Sequence, residues 1–361
     1  MEPTLAPLNL GEYEAAAQAL LPAMAFEYIA GGAGDELTLR ANRAAFARRQ
    51  IVPRVLCGIE RPSVRTSVLG HEIDLPVLLA PVGFHRLAHG DGEMASARAA
   101  QAAGTIFIGS TASTYAMEEV APECDAWWFQ LYVLRDRELN RHLVQRAEAA
   151  GAGALVVTVD TPVLGRREAD ERNRFALPDG VSWANFVDPR YAAMAALPEG
   201  SSLAAYVAQG IDSTLSWAHL DWLASITSLP VIPKGILHPD DARIAIDHGA
   251  RAIVVSNHGG RQLDGAIATL DALPAVAEAV DGRIEVLLDG GVRRGGDVLK
   301  ALALGARAVL IGRPYLWGLA VGGEAGARRV LELLATELTR DLALCGLASV
   351  EDATRLSVVS Q

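Results

Sequence analysis

Only three cysteines, Cys57, Cys124 and Cys345, stand in 361 residues, and no two form a CxxC pair. So sparse a set builds no disulfide framework, and a reducing compartment is expected. Basic residues are outnumbered, 32 Lys and Arg against 43 Asp and Glu, for a formal net charge of −11. That argues against a nucleic-acid partner, which normally needs a basic face. No apolar run approaches the ~20 residues of a spanning helix. The N-terminal stretch carries Glu2, Glu12, Glu14 and Glu27 with no early Lys or Arg, so it lacks the pattern of a signal peptide. The closing "RLSVVSQ" is not a peroxisomal Ser-Lys-Leu address. A soluble cytoplasmic protein without membrane or nucleic-acid partners is expected. The nucleotide-binding pattern GxGxxG is missing as well.

What is present is a run of short β-branched segments. "LPVLLA" ends at Ala80, "TIFIGS" at Ser110, "AWWFQLY" at Tyr132 and "ALVVTVD" at Asp160. "LPVIPKG" contains Lys234, and "AIVVSNH", "IEVLLDGG" and "ARAVLIGR" reach His258, Gly291 and Arg313. Such apolar strands suit a parallel sheet covered on both faces. Helical stretches lie between them, "DGEMASARAAQAAG", "DRELNRHLVQRAEAAGAG", "HPDDARIAIDHGA" and "GGDVLKALALGA", each closing on a glycine. The alternation predicts right-handed βαβ units. Eight of them make a (β/α)8 TIM barrel over residues ~75 to ~335, within one domain spanning the chain. A doubly wound open sheet is the alternative. Residues 1–70 are expected as a helical segment across one end. The Ala-, Gly- and Ser-rich 181–217 stretch is expected as a lid inserted after strand four.

Barrel strands converge at their C-terminal ends on one mouth, which holds the site. His258 and Arg261, with Gly259 and Gly260 between, suit proton abstraction from an acid whose carboxylate the guanidinium grips. Asp160 could orient an imidazole or cap the next turn. Of Arg166, Arg167, Arg172 and Arg174, one is read as a second anion clamp. Lys234, in an apolar strand, needs an anion or neutrality, and would serve as a Schiff-base amine or as a fixed charge beside a cofactor. The loops "LLDGGVRRGGD" and "LIGRP" follow strands seven and eight, where barrels bind phosphate. Gly290, Gly291, Gly312 and Arg313 face it there, or are plain turn residues. His85 and His89 have metal-pair spacing but no third ligand, and no metal is expected. A phosphate pocket, an internal cation and a His/Arg pair imply a phosphorylated cofactor under an anionic substrate, and FMN fits.

The ordered motifs "FEYIAGGAGDE", "FQLYV", "TVDTP", "LGRREAD", "SNHGGRQLD", "LDGGVRRGGDVLKALALGA" and "IGRP" cover almost the whole chain. The sequence resembles the FMN-dependent 2-hydroxy-acid oxidases and dehydrogenases, the family of glycolate, lactate and mandelate-oxidising enzymes. The resemblance implies a (β/α)8 fold, FMN as cofactor, and oxidation of an (S)-2-hydroxy acid to the 2-keto acid with O2 reduced to hydrogen peroxide. It also implies a homotetramer or octamer. His258 would be the base and Asp160 its partner, with Tyr132 against the substrate hydroxyl. Arg167, Arg261 and Tyr28 would hold the substrate carboxylate. Lys234 would face the flavin ring, as would Pro81, Val82 and Gly83. Ser110, Gln130, Thr158 and Ser256 would bond the flavin or its ribityl chain. Asp289, Gly291, Arg293, Gly312 and Arg313 would hold ribityl and phosphate.

Two positions depart from glycolate oxidase. Ala112 replaces a bulky tryptophan, and Pro81-Val82-Gly83 replaces Pro-Thr-Ala, so that Gly83 resembles the mandelate-oxidising branch. Both changes remove volume beside the substrate, so an aromatic or longer side chain is expected over glycolate. The 181–217 insertion has no apolar membrane-docking run, and oxygen is the simplest acceptor. The rivals are a soluble dehydrogenase using another acceptor and a Schiff-base aldolase built on Lys234.

Overall fold

Eight parallel strands close on themselves. In chain order they are β4 (Val77–Leu79), β5 (Phe107–Ser110), β6 (Trp127–Tyr132), β7 (Leu155–Thr158), β8 (Val231–Ile236), β9 (Ala252–Val255), β10 (Glu285–Asp289) and β11 (Ala308–Ile311). Each pairs in parallel with its chain neighbour, and β11 returns to β4 through Val309↔Val77 and Ile311↔Leu79. The barrel is therefore closed, and the open sheet is set aside. This is a computed structural model, and it describes residues 7–186 and 210–360.

The interior follows from the two-residue period of a strand. Leu78, Ile106, Ile108, Trp128, Ala154, Val156, Ile232, Ala252, Val254, Leu287, Ala308 and Leu310 form one buried cluster. Two residues further along the same faces come Gln130, Thr158, Lys234, Ser256, Asp289 and Gly312. These strands thus carry apolar residues through the sealed middle and a polar residue or glycine where the barrel opens, whereas the same face of β4 leads to Ala80. A second, larger cluster holds the outer helices against the sheet. Those helices end as the sequence indicates. Gly104, Gly151, Gly249 and Gly305 all have positive φ after the helices Gly92–Ala102, Arg137–Ala149, Pro239–Asp247 and Gly295–Ala303.

The N-terminal segment corrects one expectation. It holds helices Leu10–Leu20, Ala23–Ala30 and Leu37–Arg48, but it is not helical throughout. β1 (Arg49–Val52) pairs antiparallel with β12 (Ser357–Ser360), and β2 (Thr66–Val68) forms a hairpin with β3 (His71–Ile73). Val68 and Ile73 belong to the interior cluster, so the hairpin plugs the end of the barrel away from the mouth. Of the 181–217 stretch, residues 187–209 lie outside the described residues. Its start is firmly packed: the buried Asn185 amide donates to Ser110 O and accepts from Met117 N. No helix among the described residues is long and apolar enough to cross a membrane.

Candidate active site

The mouth opens into a cavity of about 1220 Å³, including the solvent at its entrance. At its centre His258 Nδ1 lies 2.9 Å from Asp160 Oδ1, and its Nε2 faces the Tyr132 hydroxyl at 3.5 Å. His258 has φ of 58°, a left-handed conformation in which its N–H reaches Ser256 Oγ at 3.1 Å. Burial raises the pKa of the Asp160 carboxyl, but the His258 and Lys234 charges outweigh it and hold it below the ordinary carboxylate range. The stability this pair contributes is present above that range and is lost as pH falls through the lowered value. Asp160 Oδ2 is buried without a partner.

Gly235 explains how Asp160 fits. A Cβ there would lie 2.7 Å from Asp160 Cβ, and the residue sits at φ of 125° in a break of the β8–β9 register between Lys234 and Ile236. The bulge makes room for the carboxylate and keeps Lys234 pointing inward. Lys234 Nζ is 2.7 Å from Asp289 Oδ2 and 2.9 Å from Ser256 Oγ. Burial opposes its charge, yet Asp289 and Asp160 prevail and raise its pKa. A Schiff-base lysine must shed its proton before it attacks, and this environment holds the proton on. The aldolase reading is therefore disfavoured.

Above the imidazole two guanidinium groups converge on Tyr28. Arg261 Cζ lies 5.2 Å and Arg167 Cζ 5.7 Å from its ring centroid. Arg261 Nη1 donates to Tyr28 O at 2.8 Å and to Gly31 O at 2.9 Å. Both protons of that nitrogen are thereby taken, and the Nε–Nη2 edge is left for a bidentate acceptor. Removal from bulk water and the nearby Arg167 charge lower the Arg261 pKa to about 10. Arg167 has a loose carboxylate partner, Asp170 at 3.5 Å, and its Nε is buried without one.

Two further arginines line the cavity: Arg293, stacked 4.6 Å over the Trp317 ring, and Arg313, which shares the Gly31 carbonyl with Arg261. Arg313 donates to the carbonyls of Ala30, Gly259 and Gly31 at 2.9–3.0 Å, leaving two of its five N–H groups. Burial, then Arg261 and Arg293, push its pKa well down, while burial and Arg43 bring Arg293 to about 10. Among the described residues none of Arg261, Arg293 and Arg313 has an ion-pair partner. Such a concentration of uncompensated cations fits an anionic ligand. Asp289 Oδ1, buried and unpartnered, fits a hydroxyl donor on the same ligand. Gly291, at φ of 89°, has a backbone that a Cβ would drive into Asn42 O.

The structure gathers most residues singled out from the sequence. Tyr28, Pro81, Val82, Gly83, Ala112, Gln130, Tyr132, Thr158, Arg167, Lys234, His258, Arg261, Asp289, Gly291, Arg293, Gly312 and Arg313 all line the cavity. Asp160, Ser110 and Ser256 do not; Asp160 reaches the site only through His258. Ser110 Oγ donates to Gln130 Oε1 at 3.0 Å, and Ser256 supports Lys234 and His258 from behind. His85 and His89 do not converge on a metal: the His85 ring nitrogens engage Ser96 and Tyr315, whereas the His89 ring lies 3.3 Å from where a Gly323 Cβ would stand. Thr161, Leu164, Trp183 and Ile211 line the cavity without having been anticipated. Gln262, inside the "SNHGGRQLD" motif, ties loops together by donating to Asp160 O and Val163 O at 2.8 Å each.

A closed barrel with several uncompensated arginines and a His–Asp pair at its mouth suits a flavin-type oxidoreductase. The family model described as FMN-dependent dehydrogenase matches residues 17–360, and the chain belongs to that family, with FMN as its cofactor. It is 53% identical to an L-lactate oxidase of Nostoc sp. over 96% of each chain. It is 49% identical to glycolate oxidase 3 of Arabidopsis thaliana, over 97% of this chain and 95% of the relative. Among solved structures, mandelate oxidase with (S)-4-hydroxymandelic acid superposes with a TM-score of 0.93 at 46% identity, covering 98% of this chain and 99% of that one.

Proposed function

We propose that the protein oxidises an (S)-2-hydroxy acid with an aromatic or extended side chain to the 2-keto acid, with oxygen as acceptor and hydrogen peroxide as product. The observation that carries this is that His258, backed by Asp160, and Arg261, with its Nε–Nη2 edge free, line one cavity. Arg261 and Arg167 grip the carboxylate and Tyr28 packs beside it. The substrate hydroxyl then faces His258 Nε2 and Tyr132, and Nε2 takes the hydroxyl proton, with Asp160 stabilising the imidazolium that forms. FMN, when bound, would take up the C2 hydrogen with its electron pair and pass two electrons and the proton on to oxygen. Lys234 fixes a positive charge beside the ring, with Pro81, Val82 and Gly83 along it and Gln130 and Thr158 as polar neighbours. Asp289 and Gly291 serve the ribityl chain, and Arg293, Gly312 and Arg313 the phosphate. We place the enzyme in the cytoplasm as a homo-oligomer, a tetramer or octamer.

The phosphate assignment is tested through Arg313. Its replacement by Met removes two unused donors and a charge, and weakens FMN binding to the apoprotein about 10- to 100-fold, the scale of a hydrogen-bonded charge. Quenching of flavin fluorescence reads this directly, and an unaltered titration contradicts the assignment.

Side-chain preference rests on the wall made by Gly83 and Ala112. A Cβ at Gly83 would lie 3.1 Å from Ala112 Cβ and 3.5 Å from the Tyr28 hydroxyl oxygen. The wall is therefore as thin as the chain permits, and Phe84, Leu164, Trp183 and Ile211 complete an apolar lining. Gly83→Ala is expected to lower kcat/KM for mandelate about tenfold, the scale of one overpacked methyl, while leaving lactate little changed. Oxygen-electrode assays with glycolate, lactate, mandelate and 2-hydroxyoctanoate test the whole reading. Preference for glycolate removes the roomy pocket, and dye reduction without oxygen uptake removes the oxidase. The higher identity to the lactate oxidase favours lactate as the second reading.

A further inference from the structure

Behind the Gly83–Ala112 wall lies a polar cluster that the chemistry above does not use. Glu93 is 0% exposed and has no ion-pair partner among the described residues. Its Oε1 accepts from Thr114 N at 2.9 Å and from His85 N at 3.2 Å, and its Oε2 accepts from the Thr114 hydroxyl. It sits in the first turn of the helix Gly92–Ala102, where the helix dipole favours an anion. Three donors and a helix terminus thus stand in for the cation that a buried carboxylate ordinarily requires.

Those donors belong to the two loops that make the pocket wall. His85 follows Gly83 and Phe84, and Thr114 follows Ala112. Phe84 has φ of 61°, a conformation costly for an aromatic residue and held only where neighbours over-determine it. Its N–H donates to Ala112 O at 3.0 Å, and the next N–H, of His85, goes to Glu93. The rest of the cluster anchors the same loop. The Tyr315 hydroxyl donates to Ala80 O at 2.9 Å and meets His85 Nε2 at 3.0 Å, and His85 Nδ1 lies 3.0 Å from Ser96 Oγ.

We infer that Glu93 is a positioning residue for substrate specificity: its buried carboxylate staples the Pro81–His85 loop to the Thr111–Thr114 loop and so holds Gly83 against Ala112. This rests on the proposed oxidation of 2-hydroxy acids only for the substrates named in the test. A small side chain does not reach the wall, whereas an aromatic one packs on it. Loss of the staple therefore penalises large acids selectively.

The test compares FMN-loaded wild type, Glu93→Gln and Thr114→Val; the valine keeps the shape and removes one donor. Glu93→Gln is expected to lower the ratio of kcat/KM for mandelate to that for lactate about tenfold, the scale of one buried acceptor lost. The change falls in KM, with kcat for lactate little altered in the FMN-loaded protein, and Thr114→Val gives a smaller shift in the same direction. In parallel, binding of benzoate and acetate as non-reacting carboxylates is followed by perturbation of the flavin spectrum, and the benzoate-to-acetate ratio moves the same way. Equal losses for both acids, or an unchanged ratio in both variants, overturns the inference. If wild type oxidises no 2-hydroxy acid, the functional reading fails separately, and the benzoate-to-acetate ratio still decides the role of Glu93.

Discussion

Replacement of His258 by Gln is expected to leave a yellow, FMN-loaded protein whose flavin is reduced by 2-hydroxy acids about 10²–10⁴-fold more slowly than in wild type, the range for loss of a general base. Glutamine fills similar space and can still meet Asp160, but it cannot accept the hydroxyl proton at neutral pH. FMN is retained because Arg293 and Arg313, proposed to hold its phosphate, keep their contacts: Arg313 meets the Gly259 carbonyl and not the His258 side chain. Single-turnover stopped-flow reduction is the appropriate measurement, because it isolates electron transfer from reoxidation. The affinity for the acid changes little, since its carboxylate is held by Arg261 and Arg167. A reduction rate within threefold of wild type would falsify the assignment of His258 as base.

The second large effect is at Arg261. Its Nε–Nη2 edge is unoccupied while Nη1 is fixed to two backbone carbonyls. Arg261→Met removes the bidentate grip, and the affinity for the substrate acid is expected to fall about 30-fold or more, the scale of a truncated charged pair in a site remote from water. Arg261→Lys recovers only part of it, because an ammonium offers a point charge without the planar fork. Stability behaves differently. With no carboxylate to pair it and Arg167 beside it, the guanidinium is a strained charge in the free protein. Its removal relieves that repulsion and offsets the lost bond to Tyr28 O, while Gly31 O still receives Arg313, so the melting temperature shifts little. Loss of affinity together with a large fall in melting temperature would show Arg261 to be structural.

The strand-end residues were legible in the sequence because a period of two carries one face from apolar interior to polar mouth. Leu287 to Asp289 and Val156 to Thr158 to Asp160 can be followed by eye. The terminal glycines of the outer helices were legible for a similarly local reason, the left-handed turn each must make. What escaped depends on contacts distant in sequence. The hairpin at residues 66–73 is too short for a period to show, and it is fixed by packing Val68 and Ile73 under the barrel. Ser110 and Ser256 have the right residue type at the right strand end, but neighbouring polar groups claim their hydroxyls. Glu93 reads as an ordinary first-turn acid of an amphipathic helix, and only the folded chain brings Thr114 and the His85 N–H to it. Gly235 carries no local signal for a bulge beyond its composition.

The most direct test of the site's chemistry is anaerobic titration of the purified, FMN-loaded protein with mandelate and lactate, followed by the visible spectrum. The flavin absorbance is expected to bleach with about one equivalent of acid and to return on admission of air, because two electrons move per substrate. A flavin that stays fully oxidised under excess of every 2-hydroxy acid tried would contradict the roles given to His258, Arg261 and Arg167 together.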